Sequence, residues 1–215
     1  MGGRGGGLGG NSLGNGGRTG GVSVTREYDL VSQRERSAGE VDSVLTALRQ
    51  VNRNEGYTVA DAVVAKLGGR AGRLAMAYYD TGSKQIGVNE RYFNNDAITR
   101  AYDDAVKSGF HPSRGNKTAM EAVIAHETGH ALTDVAAERM GVGFDAAAKR
   151  IVEESSLGKS RRSVERAARS VSGYATQNNA ELIAEAYADV YANGRKANDV
   201  SKKIVSVLRK YSRQR

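Results

Sequence analysis

Glu121-Ala-Val-Ile-Ala-His126-Glu127-Thr-Gly-His130-Ala131 is the stretch whose reading decides the fold. Its apolar residues and alanines predict a helix. Four residues of helix turn the chain by about 400° and advance it about 6 Å. His126 and His130 therefore project from one face, one turn apart. Two imidazole nitrogens at that spacing can both reach one Zn²⁺ at roughly 2.0–2.1 Å. Glu127 falls beside them, where it can take a proton from water. The chain has three histidines, and this stretch holds two of them.

Outward from the motif, the helix is expected to begin near residues 116–118, where a polar cap precedes the first periodic apolar residue. Met120, Val123, Ile124, Ala131 and Leu132 carry it towards Met140, and Gly141 and Gly143 close it. Gly129 costs such a helix about 1 kcal/mol against alanine. Close approach of a second backbone beside the histidines would account for it. Asp134, one turn after His130, is expected to be a solvent-exposed acid, with orientation of an imidazole as the alternative.

A second strong helix is expected over residues 180–192, closed by Asn193-Gly194. Glu181, Glu185 and Asp189 lie on one face of it at four-residue intervals. Like charges at that spacing destabilise an isolated helix by some tenths of a kcal/mol, and a cation on that face would offset the repulsion. Catalytic zinc usually takes three protein ligands and leaves a position open. Cysteine is absent, so no thiolate can serve. A third histidine six residues after His130 is also missing, because Thr133 and Ala136 occupy the places where a metzincin carries Gly and His. A carboxylate from the acidic face is the natural completion, and spacing alone leaves Glu181 and Glu185 both open.

His126-Glu-Thr-Gly-His130 followed by Ser172-Gly-Tyr174-Ala-Thr-Gln-Asn-Asn-Ala-Glu181-Leu-Ile-Ala-Glu185-Ala-Tyr resembles the catalytic core of lethal-factor-like zinc peptidases of the gluzincin type. The resemblance spans roughly residues 70–211 and is specific at the two motif helices and Tyr174. It implies a zincin-like fold with His126, His130 and Glu181 as zinc ligands. It further implies Glu127 as general base, Glu185 behind the ligands, and Tyr174, seven residues before Glu181, as an aid to catalysis. Glu185 with Asp189 also resembles the pattern of thermolysin-like enzymes. In that register Glu185 would be the ligand and Asp189 would stand behind a histidine. Similar small domains occur in phage head proteins and bacterial effectors.

The rest of the chain is read by periodicity and turn signals. A short strand is expected over 22–30, a helix over 40–51, and a second short helix over 59–67 stopped by Gly68-Gly69. Residues 74–79 and Gln85–Asn89 predict a β-hairpin around Asp80-Thr-Gly-Ser-Lys84. Such a hairpin could offer a sheet edge to which an extended peptide adds as a strand. Helices are expected over 95–108, 144–155, 160–170 and 198–211. His111 precedes the chain's single proline and has no partner at ligand spacing, so it reads as a loop residue.

Residues 1–21 contain 12 of the 27 glycines and cannot bury enough apolar surface to offset their ordering entropy. Residues 195–215 hold eight Lys/Arg against Asp199 alone and supply most of the net charge of +8. A basic end of this kind can meet nucleic acid or an acidic surface. Membrane spans are not expected, since no apolar run approaches 18 residues. Without an apolar leader segment, the host cytosol or a virion is the expected location.

These readings combine into an α+β, mainly helical chain. A flexible leader occupies 1–21, a strand and helical segment 22–69, a zincin-like catalytic domain 70–211, and a basic tail 212–215. The implied activity is zinc-dependent endopeptidase action on a peptide or protein substrate. The alternative is a non-catalytic structural or nucleic-acid-associated phage particle protein carrying a vestigial site.

Overall fold

The computed structural model describes residues 23–28, 30–56, 58–68, 74–158 and 160–213, with side chains from residue 41 onward. The glycine-rich leader, Gly69 and residues 214–215 of the basic tail lie outside the described residues.

A buried helix, α3 (Ala119–Met140), runs through the centre. Thr118 and Glu121 form a reciprocal capping box at its start, and Gly141, at φ 64°, ends it in the left-handed conformation. Alanine and glycine on several of its faces let neighbours approach closely, so most of the helix is inaccessible to solvent. Around it pack α1 (Leu30–Glu55), α2 (Asn95–Lys107), α4 (Phe144–Glu154), α6 (Asn179–Asn193) and α7 (Asp199–Ser212). Helix α5 (Arg161–Val171) lies against α6 and α7 and buries only Ala168. Among the described residues, no helix is long and apolar enough to cross a membrane.

The sheet has four strands in the order β1-β2-β4-β3: β1 (Ser23–Tyr28), β2 (Asp61–Gly68), β3 (Ala77–Asp80) and β4 (Gln85–Asn89). The expected hairpin is present as the antiparallel pair β3–β4, with Tyr79 opposite Ile86. Strand β4 also pairs in parallel with β2, which pairs antiparallel with β1.

The expected helix over 59–67 is instead strand β2. Ala62 and Val64 face the main core, while Ala65 and Leu67 join a second apolar cluster with Ala75 and Tyr78. A strand buried on both faces shows no clean alternation, and its near-continuous apolar run imitates a helical stripe. The β-branched pair Val63-Val64 and the flanking glycine were the signals favouring a strand.

The segment before residue 70 shares its core with the segment after it. Val41, Val44 and Val51 of α1 and Val64 of β2 belong to the same buried cluster as Ile124 and Ile183. Helix α1 extends well beyond the expected 40–51 in both directions.

Candidate metal centre

Helix α3 supplies His126, Glu127 and His130, and α6 crosses it to supply Glu181 and Glu185. The crossing is tight at Gly129. A Cβ there would lie 2.7 Å from Ala184 Cα and 3.2 Å from Tyr187 Cβ. The glycine inside α3 therefore permits the close approach of backbones that brings the two helix faces within side-chain reach. Asn178 caps α6 through a bond from the Glu181 amide to its Oδ1 at 2.9 Å, fixing Glu181 in the first turn.

Three atoms converge where the helices meet. Glu181 Oε2 is 3.2 Å from His126 Nε2 and 3.4 Å from His130 Nε2. One ligand atom from each residue lies within 4.8 Å of the other two. All three residues are buried, at 7%, 1% and 3% exposure for His126, His130 and Glu181.

The far side of His126 is held by Glu185. Its Oε1 lies 2.7 Å from His126 Nδ1 and 2.9 Å from His111 Nδ1, and its Oε2 accepts from Ser172 Oγ at 2.7 Å. Burial works against the charge on Glu185, and the His111 and His126 imidazoles outweigh it, holding the carboxyl well below its ordinary range. An ionised carboxylate can only accept, so His126 carries its proton on Nδ1. Its Nε2 is then the atom that faces Glu181 and His130.

The described side chains leave part of this convergence unanswered. Glu181 Oε2, His130 Nε2 and Glu127 Oε2 are buried without a hydrogen-bond partner among the described residues. A buried acceptor left unanswered costs about 1–3 kcal/mol, more when charged. A divalent cation would satisfy Glu181 Oε2 and both Nε2 atoms at once, and two imidazoles with one carboxylate match the donor set of a catalytic zinc site. The residues present fit the metal. Burial raises the Glu181 carboxyl, but the neighbouring histidines draw it down to about 2, so it is charged and available as a ligand. Burial also pushes Glu127 upward despite the adjacent histidines, making it a better proton acceptor than an exposed glutamate.

Tyr174 arrives on a short 3₁₀ turn (Tyr174–Thr176) docked to the loop after α2. The Gly173 amide donates to Gly109 O at 2.8 Å, and the Tyr174 amide donates to Phe110 O at 3.0 Å. The Tyr174 ring stacks on His126 with centroids 5.7 Å apart and packs against Phe110 at 5.1 Å.

That same docking carries His111 into the site, which sequence reasoning missed. His111 is a loop residue, as expected, but it has a partner in Glu185, and it stacks on Tyr102 with centroids 5.3 Å apart and planes 3° apart. Its signals were its place as the third histidine of a cysteine-free chain and the aromatic neighbour Phe110.

Two further acids take other roles. Asp134 is buried, not solvent-exposed, and it accepts from Tyr79 Oη at 2.9 Å and pairs with Lys84. It touches no imidazole; it ties the β3–β4 hairpin to α3. Asp189 accepts from Asn193 Nδ2 and the Asn198 amide, both at 2.9 Å, and so joins α6 to the start of α7. It does not stand behind a histidine; Glu185 does.

A cavity of about 30 Å³ opens beside the histidines, walled by Met76, Ala77, His111, His126, Glu127 and Tyr174 among others. That is room for about one water molecule. A far larger groove, about 980 Å³, lies between α4, α5 and the start of α6 and includes none of these site side chains. The small cavity, not the large groove, adjoins His111, His126 and Glu127. Comparison with known proteins finds no matching family model, no matching curated protein and no matching solved structure.

Proposed function

We propose that the chain is a zinc-dependent endopeptidase of the lethal-factor-like gluzincin type, with His126, His130 and Glu181 as the ligands. The observation carrying this reading is the convergence of ligand atoms from His126, His130 and Glu181 beside Glu127, with His130 Nε2 and Glu181 Oε2 buried and unanswered among the described residues. Zinc held there would polarise a peptide carbonyl and make water more acidic.

The remaining work falls to the protein's own groups. Glu127 takes the proton of the attacking water and returns it to the departing amide nitrogen. Glu185 keeps the His126 proton on Nδ1, so that Nε2 faces the metal position. Tyr174 hydrogen-bonds the carbonyl oxygen as negative charge grows on it.

A peptide is the favoured substrate because of β3. It lies at an edge of the sheet among the described strands, and Ala77 at its start walls the cavity together with Glu127. An extended peptide pairing with that edge would pass its backbone over the histidines. The Asp134 contacts to Tyr79 and Lys84 hold this edge in place on α3.

Burial of the ligands and the one-water cavity favour a second reading, a metal-stabilised structural protein of a phage particle with a vestigial site. Nucleic-acid attachment would belong to that reading. Much of the C-terminal charge is answered internally, since Arg209 and Arg213 pair with Glu55, Lys202 with Asp199 and Lys210 with Glu154. Arg195, Lys196 and Lys203 are exposed and would carry such binding.

Digestion of a peptide library by zinc-loaded protein separates the two. Cleavage is expected, and Glu127→Gln should reduce it by about 10²–10⁴-fold, the usual worth of general acid–base catalysis, with zinc retained. Zinc binding without cleavage would favour the structural reading.

A further inference from the structure

We infer that His111 is a catalytic residue, hydrogen-bonding the reacting peptide unit through Nε2 from the wall of the cavity it shares with Glu127. This rests on the hydrolytic reading above and adds to it a group from outside both motif helices.

The imidazole is fixed on several sides. Tyr102 stacks on its face, Tyr174 and Phe110 meet it edge to face at 5.5 and 5.2 Å, and Glu185 receives Nδ1 at 2.9 Å. Tyr102 is itself anchored through Oη to Pro112 O at 3.2 Å. A ring needed only to fill space would be met equally well by phenylalanine. This one has a buried carboxylate committed to it, and that carboxylate is shared with the ligand His126. Nδ1 being engaged, Nε2 is the ring's other polar atom.

The position suits contact with substrate. The cavity that His111 walls is also walled by Glu127, His126 and Tyr174, so a group reacting beside Glu127 lies within its reach. The ring is in edge contact with His126, with centroids 6.2 Å apart, yet His111 does not belong to the converging ligand set. A polar side chain pre-positioned in a small, buried site interacts with developing charge more strongly than in water, because it needs no reorganisation during reaction.

Two substitutions distinguish this role from packing and from indirect support of His126. His111→Phe keeps the ring that stacks on Tyr102 and removes both polar atoms. His111→Gln discards the ring and keeps a hydrogen-bonding group. Both are compared with wild type on a peptide the wild type cleaves, with kcat, KM and zinc affinity measured separately. For His111→Phe, kcat is expected to fall by about 10²-fold or more, with KM and zinc affinity each within about 3-fold. His111→Gln should recover part of the lost kcat. Full activity in His111→Phe would show that the ring alone matters and overturn the proposal. A fall in zinc affinity matching the fall in kcat would overturn it too, assigning His111 to the support of His126 through Glu185. A wild-type chain that binds zinc and cleaves nothing would overturn the hydrolytic reading and the role of His111 together.

Discussion

Two clusters of buried charge lie along α6, and they are completed differently. Around Glu55, whose side chain is fully buried, every acceptor is answered by the protein. Tyr187 and Arg209 donate to Oε1, and Arg213 donates to Oε2. Two and six residues before Tyr187 on the same helix, Glu185 and Glu181 face the histidines. There Glu185 is equally well satisfied, while Glu181 Oε2, His130 Nε2 and Glu127 Oε2 are left without partners among the described residues. Burying a charge is tolerable when donors close around it and costly when they do not. The Glu55 cluster is thus a structural joint between α1, α6 and α7. The other cluster gathers ligand atoms that, on the proposed reading, a cation would complete.

The sharpest way to break the comparison is to open the closed cluster. Glu55→Gln removes the charge facing two arginines while keeping an acceptor for Tyr187. Breaking a buried ion pair costs about 3–5 kcal/mol, and the half-exposed arginines reduce this to about 2–3 kcal/mol. Denaturant unfolding should register that loss with zinc stoichiometry unchanged. A change within about 0.5 kcal/mol would mean that the closure contributes nothing, and zinc loss would mean that the two clusters are coupled through α6.

A smaller effect is expected from Glu185→Ala. Partners that orient a ligating histidine are typically worth 10–100-fold in metal affinity. Competition with a chelator should show zinc binding weakened by about that factor but still present. Abolition of binding would make Glu185 the ligand and Glu181 the supporting acid.

Much of this division was legible in the sequence. The i, i+4 spacing of His126 and His130, the capping residue Thr118, the C-terminal Gly141 and the acidic face of α6 are local signals, and helices built from local signals read directly. Gly129 announced a close helix crossing, and the contact with Ala184 supplies it. Features fixed by distant chain segments were not legible. Strand β2 owes its conformation to β1 and β4 on either side. His111 reaches the site because two loops pair through their backbones at Gly109–Gly173 and Phe110–Tyr174. Asp134 is buried because Tyr79 and Lys84 fold over from the hairpin. No periodicity along the chain encodes such meetings.

The central claim is that a cation belongs between His126, His130 and Glu181. It is tested most directly by zinc content after purification without chelator, for wild type and for Glu181→Ala, with circular dichroism to show that both are folded. One equivalent per wild-type chain and close to none in folded Glu181→Ala is the expected result. Wild-type protein with no zinc, or equal zinc in both, would contradict the account.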